Sequence, residues 1–94
     1  MSENTLYLIQ SDYAATASIL DQLAQVHSPD DSVVLMGESL LYVEHDFLQQ
    51  LPRVYLLEND AQILVSPLPE HATLLNYAQF ADLCLAFKRC ISMK

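Results

Sequence analysis

Thr5-Leu6-Tyr7-Leu8-Ile9 and Ser32-Val33-Val34-Leu35-Met36 decide the fold. Each is short, rich in β-formers and apolar at nearly every position. A strand with one wet face alternates apolar and polar residues, whereas a strand covered on both faces reads as a continuous apolar run. The same grammar recurs at Val54-Tyr55-Leu56-Leu57 and Ala72-Thr73-Leu74-Leu75. Between the first two runs, Ser11 and Asp12 supply N-cap chemistry. Tyr13, Ala17, Leu20 and Ala24 then follow at helical spacing, with Ile19, Leu23 and Val26 widening the stripe. Pro29 ends that helix.

Further along, Glu38 to Gln50 reads as a second helix that Pro52 stops, although Leu41-Tyr42-Val43 is strand-like. Glu58 to Gln62 begins a short turn or helix, and Ile63 to Pro69 is loop-like, with Pro67 and Pro69 opposing regular structure. Asn76 caps a final helix that carries Tyr77, Phe80, Ala81, Cys84, Phe87, Lys88 and Ile91 on one stripe. Lys88, Arg89 and Lys94 then complement its dipole. Strands alternating with helices predict one α/β domain over 1–94: a small, doubly wound, mainly parallel sheet flanked by helices. Ligands of such folds bind beyond the carboxyl ends of the strands, which fall at Gln10-Ser11, Gly37-Glu38, Glu58-Asn59 and Asn76-Tyr77.

Charge and composition exclude several functions. The 94 residues are 52% hydrophobic and 17% charged, with a formal net charge of −8. Residues 1–87 hold all twelve acids against Arg53 alone. Nothing there attracts a phosphate backbone or an anionic membrane, so direct nucleic-acid binding and membrane binding are not expected. No apolar run approaches the roughly 20 residues that span a bilayer. The opening Met1-Ser2-Glu3-Asn4 lacks the basic start of a secretory signal. The expectation is a reduced, cytoplasmic protein. A domain of this size buries only about 60–65% of its unfolded surface. So apolar a chain therefore leaves hydrophobic side chains outside, which predicts a partner that covers them.

The strand ends offer little chemistry. A dinucleotide or P-loop site needs several glycines, and the chain has one, Gly37. No cofactor and no metal site follow from the spacing. His27, His45 and His71 are scattered in polar segments and read as solvated. Asp30-Asp31 and Glu58-Asn59-Asp60 read as turn and capping acids rather than a catalytic pair. Cys84 and Cys90 both fall on the predicted final helix, roughly 9 Å apart along its axis and about 120° apart around it. That separation rules out a disulfide within the helix. Cys84 reads as a core thiol, and Cys90, beside Arg89, as the one candidate nucleophile. Tyr42, Phe47 and Tyr77 are candidate interface anchors.

Taken in order, Thr5 to Ile9, Val33-Val34-Leu35-Met36-Gly37-Glu38, Val54-Tyr55-Leu56-Leu57-Glu58-Asn59-Asp60 and Leu74-Leu75-Asn76-Tyr77-Ala78-Gln79-Phe80 resemble the TusB/DsrH family. The likeness covers nearly the whole chain and lies in the collinear set, not in one motif. It implies a DsrE-like fold and a place in a hexamer of two copies each of three related subunits, beside TusC- and TusD-like sisters. In the TusBCD branch, sulfur from a TusA-like carrier passes as persulfide through the TusD cysteine to a TusE-like carrier. It ends in 2-thiouridine at the tRNA wobble position. In the DsrEFH branch a similar complex serves sulfur oxidation. Some DsrH members carry a cysteine in the first helix, and Tyr13 to His27 contains none. The resemblance thus implies the tRNA-thiolation branch and no catalytic residue in this chain. The alternatives are a DsrH-type subunit in sulfur oxidation, a free-standing homo-oligomeric domain, and a minimal sulfurtransferase using Cys90.

Overall fold

The computed structural model describes residues 5–26, 31–43, 45–51, 54–63 and 70–93. Thr5–Ile9 is β1, Tyr13–Val26 is α1, Ser32–Leu35 is β2, and Val54–Leu57 is β3. Ala72–Leu75 is β4 and Arg89–Met93 is β5. A 3-10 turn over Gly37–Tyr42 and a short helix α2 over Asp46–Gln49 join β2 to β3. A second 3-10 turn spans Glu58–Ile63, and α3 covers Tyr77–Ala86.

The five strands form one sheet in the order β4-β3-β2-β1-β5, and every neighbouring pair is parallel. The chain thus steps one way across the sheet from β1 to β4, then returns to the far side of β1. Crossovers of a single hand must then put α1 and α2 on one face and α3 on the other. The packing agrees. Ile19, Leu20 and Leu23 of α1 and Phe47 and Leu48 of α2 cover Tyr7, Ile9, Val33, Leu35, Val54 and Leu56. Phe80, Leu83, Cys84 and Phe87 cover Leu6, Val34, Met36 and Leu57 on the opposite face. The α/β, doubly wound, parallel sheet expected from the sequence is the fold observed.

Its last third differs from the expectation. The final helix stops at Ala86, and Phe87 is already extended at φ −101° and ψ 149°. Arg89 to Met93 form β5, in register with Thr5 to Ile9. The cause is non-local. Without β5, β1 would be an open edge despite being apolar on both faces, and such an edge needs a partner. Residues 87–93 fit either period, since Phe87 and Ile91 match a helical stripe while Ile91 and Met93 match an alternating strand. Pairing with β1 selects the strand. The helix-dipole role read for Arg89 is therefore replaced. Its guanidinium donates to Thr5 Oγ1 from Nη2 (3.1 Å) and Nε (3.3 Å). Lys88 follows the helix instead of ending it, and Lys94 lies outside the described residues.

The helix expected over Glu38 to Gln50 is also broken, into the 3-10 turn and α2. Leu40, Val43, Phe47 and Leu48 all reach the core, and their i, i+3, i+7, i+8 spacing is that of one helical face, which is why the stretch reads as a single helix. His45 opens α2 by accepting from Phe47 N at 3.2 Å. His71 holds the Val43 carbonyl at 3.0 Å and, facing a carbonyl, donates. Two of the three histidines read as solvated are thus structural, and His27 lies outside the described residues. The Pro29, Pro52, Pro67 and Pro69 breaks lie outside them as well. Asn76 caps α3 as expected, with its side chain accepting from Gln79 N (2.8 Å) and Gln79 answering to Asn76 N (2.9 Å).

Asp31, read from sequence as a turn acid, is buried and accepts from Thr5 N at 2.9 Å. It anchors the start of β1. Burial pushes the Tyr7 phenol above its usual 10.0; Asp31 adds to that and Arg89 opposes it. A raised folded value means the ring contributes stability below its unfolded pKa and loses it as pH climbs through the folded one. Urea unfolding above pH 10 should therefore fall less steeply with pH in Tyr7→Phe than in the parent chain. In the same assay near neutral pH, Leu20→Ala, at a fully buried site, should cost about 2–5 kcal/mol. Leu85→Ala, at an 85% exposed one, should stay within about 0.5 kcal/mol of the parent.

Candidate functional site

At the carboxyl ends of β1, β2 and β3 lies a cavity of about 430 Å³. Gln10, Met36, Gly37, Leu57 and Asp60 form its floor and sides, and Tyr77 and Phe80 of α3 stand over it. A smaller hollow of about 280 Å³, sharing Gly37 and Asp60, continues past Glu38, Asn59 and Gln62. All four strand ends read from the sequence, represented by Gln10, Gly37-Glu38, Asn59 and Tyr77, thus converge here.

The chain's own carboxylates occupy the amides that would bind an anion. Asp60 Oδ2 accepts from Gly37 N at 3.0 Å, Glu38 Oε1 from Tyr13 N at 2.9 Å, and Asp12 Oδ1 from Ala15 N at 2.8 Å. Helix starts offer free N–H groups to phosphate only when nothing local takes them. Here acids of neighbouring loops take them, so the site is a poor phosphate cradle.

The hydroxyls are similarly committed. Thr16 Oγ1 donates to the Asp12 carbonyl at 2.6 Å, so Ser11 Oγ, 2.7 Å from Thr16 Oγ1, must donate to it. Ser39 Oγ accepts from Met36 N at 2.9 Å and shares its proton between the carbonyls of Met36 (2.7 Å) and Ile9 (2.9 Å). Both serines are buried. Gln10 Nε2 reaches Met36 Sδ at 3.8 Å. The cavity therefore presents an amide, a thioether, one acid and two aromatic rings, which suits contact with a surface better than bond-breaking. Among the described residues, no group of three or more His, Cys, Asp or Glu side chains is arranged to hold a metal ion.

The three aromatic candidates separate. Phe47 is 6% exposed and belongs to the core, so it has no surface to offer a partner. Tyr42 is half-buried, its ring 4.9 Å from that of Tyr13. Burial and then the Tyr13 phenol push the Tyr42 phenol upward. Tyr77 is 63% exposed at the cavity rim. Around it, α3 buries none of its ten residues fully. Ala78, Ala81, Leu85 and Ala86 are all exposed, with Asp82 the helix's one charged residue.

Cys84 and Cys90 do not share a helix. The Cys90 thiol donates to the Cys84 carbonyl at 3.6 Å. Sequence reasoning missed this proximity, and also the Gly37–Asp60 link. The alternation Cys90, Ile91, Ser92, Met93 was the signal available for the first, and the second had none.

Comparison with known proteins bears on the fold. No known family profile matches the chain, and no curated protein does. Among solved structures, the crystal structure of the ychN protein from E. coli is similar over 99% of this chain and 100% of that one. The TM-score is 0.63 at 14% identity. At that identity the likeness shows the fold. No helix among the described residues is long and apolar enough to cross a membrane.

Gly37 has φ +63°, and a Cβ built there would meet nothing within 4 Å. The backbone alone therefore sets the cost of replacing it. Gly37→Ala should lower unfolding free energy by about 1–2 kcal/mol, measured by urea titration.

Proposed function

We propose that this chain is a non-catalytic subunit of a sulfur-relay hexamer, supplying shape and apolar contact area while a sister subunit's thiol carries persulfide sulfur. The relay leads to 2-thiouridine at the tRNA wobble position. Its neighbours are TusC- and TusD-like subunits, with TusE- and TusA-like carriers acting indirectly.

The observation that carries this reading is α3. A helix at the surface of a free-standing protein usually shows charge to water. This one shows alanines, Leu85 and Tyr77, with Asp82 as its one charge. Contact with another subunit would remove that surface from water. The collinear resemblance to TusB/DsrH supports the same reading, and so does the fold shared with the ychN protein over both full lengths. The strand-end cavity agrees as well. Its lining offers rings and an amide, and the two thiols of the chain lie elsewhere, at the end of α3 and in β5.

Co-expression with TusC- and TusD-like subunits, followed by native mass measurement, should give a complex holding two copies of each chain. Leu85→Glu should leave the isolated chain folded and lose the complex. Cells lacking the chain should lose wobble 2-thiouridine, and Cys90→Ser should restore it as well as the parent does. An isolated chain that stays monomeric beside its sisters, or that carries a stable persulfide on Cys90, would overturn the proposal. Loss of sulfur oxidation in place of tRNA thiolation would assign the chain to the other branch.

A further inference from the structure

The register of β5 carries a second consequence, independent of any partner. Cys90 pairs with Leu6 across the β1–β5 ladder. Registered neighbours of a parallel pair point to the same face, and Leu6 belongs to the face that α3 covers. Cys84 packs on that same cluster from α3. Both sulfurs therefore lie in the layer between α3 and the edge of the sheet. The Cys90 thiol reaches the Cys84 carbonyl at 3.6 Å, one of the last-turn carbonyls that a helix leaves without a partner. Arg89, one residue earlier, is held at Thr5.

We propose that Cys84 and Cys90 are a redox-active pair that closes to an intramolecular disulfide by exchange with a small-molecule disulfide. The two thiols differ in the way such a pair requires. Cys90 is exposed and Cys84 half-buried. Burial, then the charge and hydrogen bond of the Cys90 side chain, push the Cys84 thiol upward. Cys90 is therefore the attacking group. Its thiolate attacks one sulfur of the small disulfide, that S–S bond breaks, and one small thiolate leaves. Cys84 then gives its proton to water and attacks Cys90 Sγ, and the second small thiolate leaves. Two protein thiols are oxidised and one small disulfide is reduced to two thiols. The product ties strand β5, which pairs with β1 at the end of the strand order, to the end of α3.

The test incubates the full chain with glutathione disulfide and follows intact mass and free thiols. The parent should lose both thiols and two hydrogens, remain monomeric by non-reducing gel, and accumulate no glutathione adduct. Cys84→Ser should trap a stable adduct on Cys90, while Cys90→Ser should react much more slowly at Cys84. A parent that stops at the adduct, or that joins two chains through Cys90, overturns the proposal. So does a Cys90→Ser variant that reacts as fast as Cys84→Ser. None of these outcomes depends on whether the chain joins a relay complex.

Discussion

The structure turns on β1 needing cover on every side. Four of its five residues are apolar, the exception being Thr5, and four of the five are buried. Such a strand is stable only with a neighbour on each edge and a helix layer on each face. β2 satisfies one edge and α1 one face. The other edge and the other face fall to the last segment of the chain, which must cross above the sheet as α3 and come down beside β1 as β5. The direction of travel, the side on which α3 lies and the register of β5 all follow from that requirement together with crossover handedness.

The same return path positions the site. Because α3 starts at the end of β4 and runs back across the sheet, its first turn passes over the carboxyl ends of β2 and β3. Tyr77 and Phe80 roof the cavity for this reason. The floor is built of loops that neutralise one another's amides, Asp60 on Gly37 and Glu38 on Tyr13. A fold whose strand ends commonly bind phosphorylated ligands has here used acids to close that option. The surplus of acids over bases is thus partly structural, since Asp31, Asp60, Glu38 and Asp12 each hold a specific backbone N–H.

How much of this was legible depended on whether local pattern and tertiary pairing agreed. For β1 to β3 they agreed, since buried parallel strands are apolar runs whichever neighbour they take; β4 is a strand as read, but it lies at the sheet edge with Thr73 and Leu74 exposed. For α1 the Asp12 cap agreed, and Ile19, Leu20 and Leu23 are buried as read, but Tyr13, Ala24 and Val26 are exposed and Thr16 takes a place on the buried face. Residues 87–93 fit two periods, and β1, more than eighty residues away, made the choice. Residues 38–50 carry no breaker before Pro52, so the bend near Val43 has no local signal. Leu40, Val43, Phe47 and Leu48 enter one core at the spacing of a single helical face, so the pattern itself favours an unbroken helix. The strand-end residues could be named from sequence, but their mutual contacts could not, because an aspartate that caps a neighbouring loop looks like any turn aspartate. The cysteine pair was hidden by the same error of period that hid β5.

Thr5 and Arg89 touch across a separation of 84 residues. A sheet whose middle is completed by its most distant pairing has a high contact order, and contacts of that kind form late. Closing the ring carries a loop entropy that no nearby contact offsets in advance. On the ribosome β1 emerges before β5, and its second edge stays vacant until more than eighty further residues have followed. During that interval the strand is open to association with any other extended segment, so early shelter for residues 5–9 matters more to yield than any later gain in native stability.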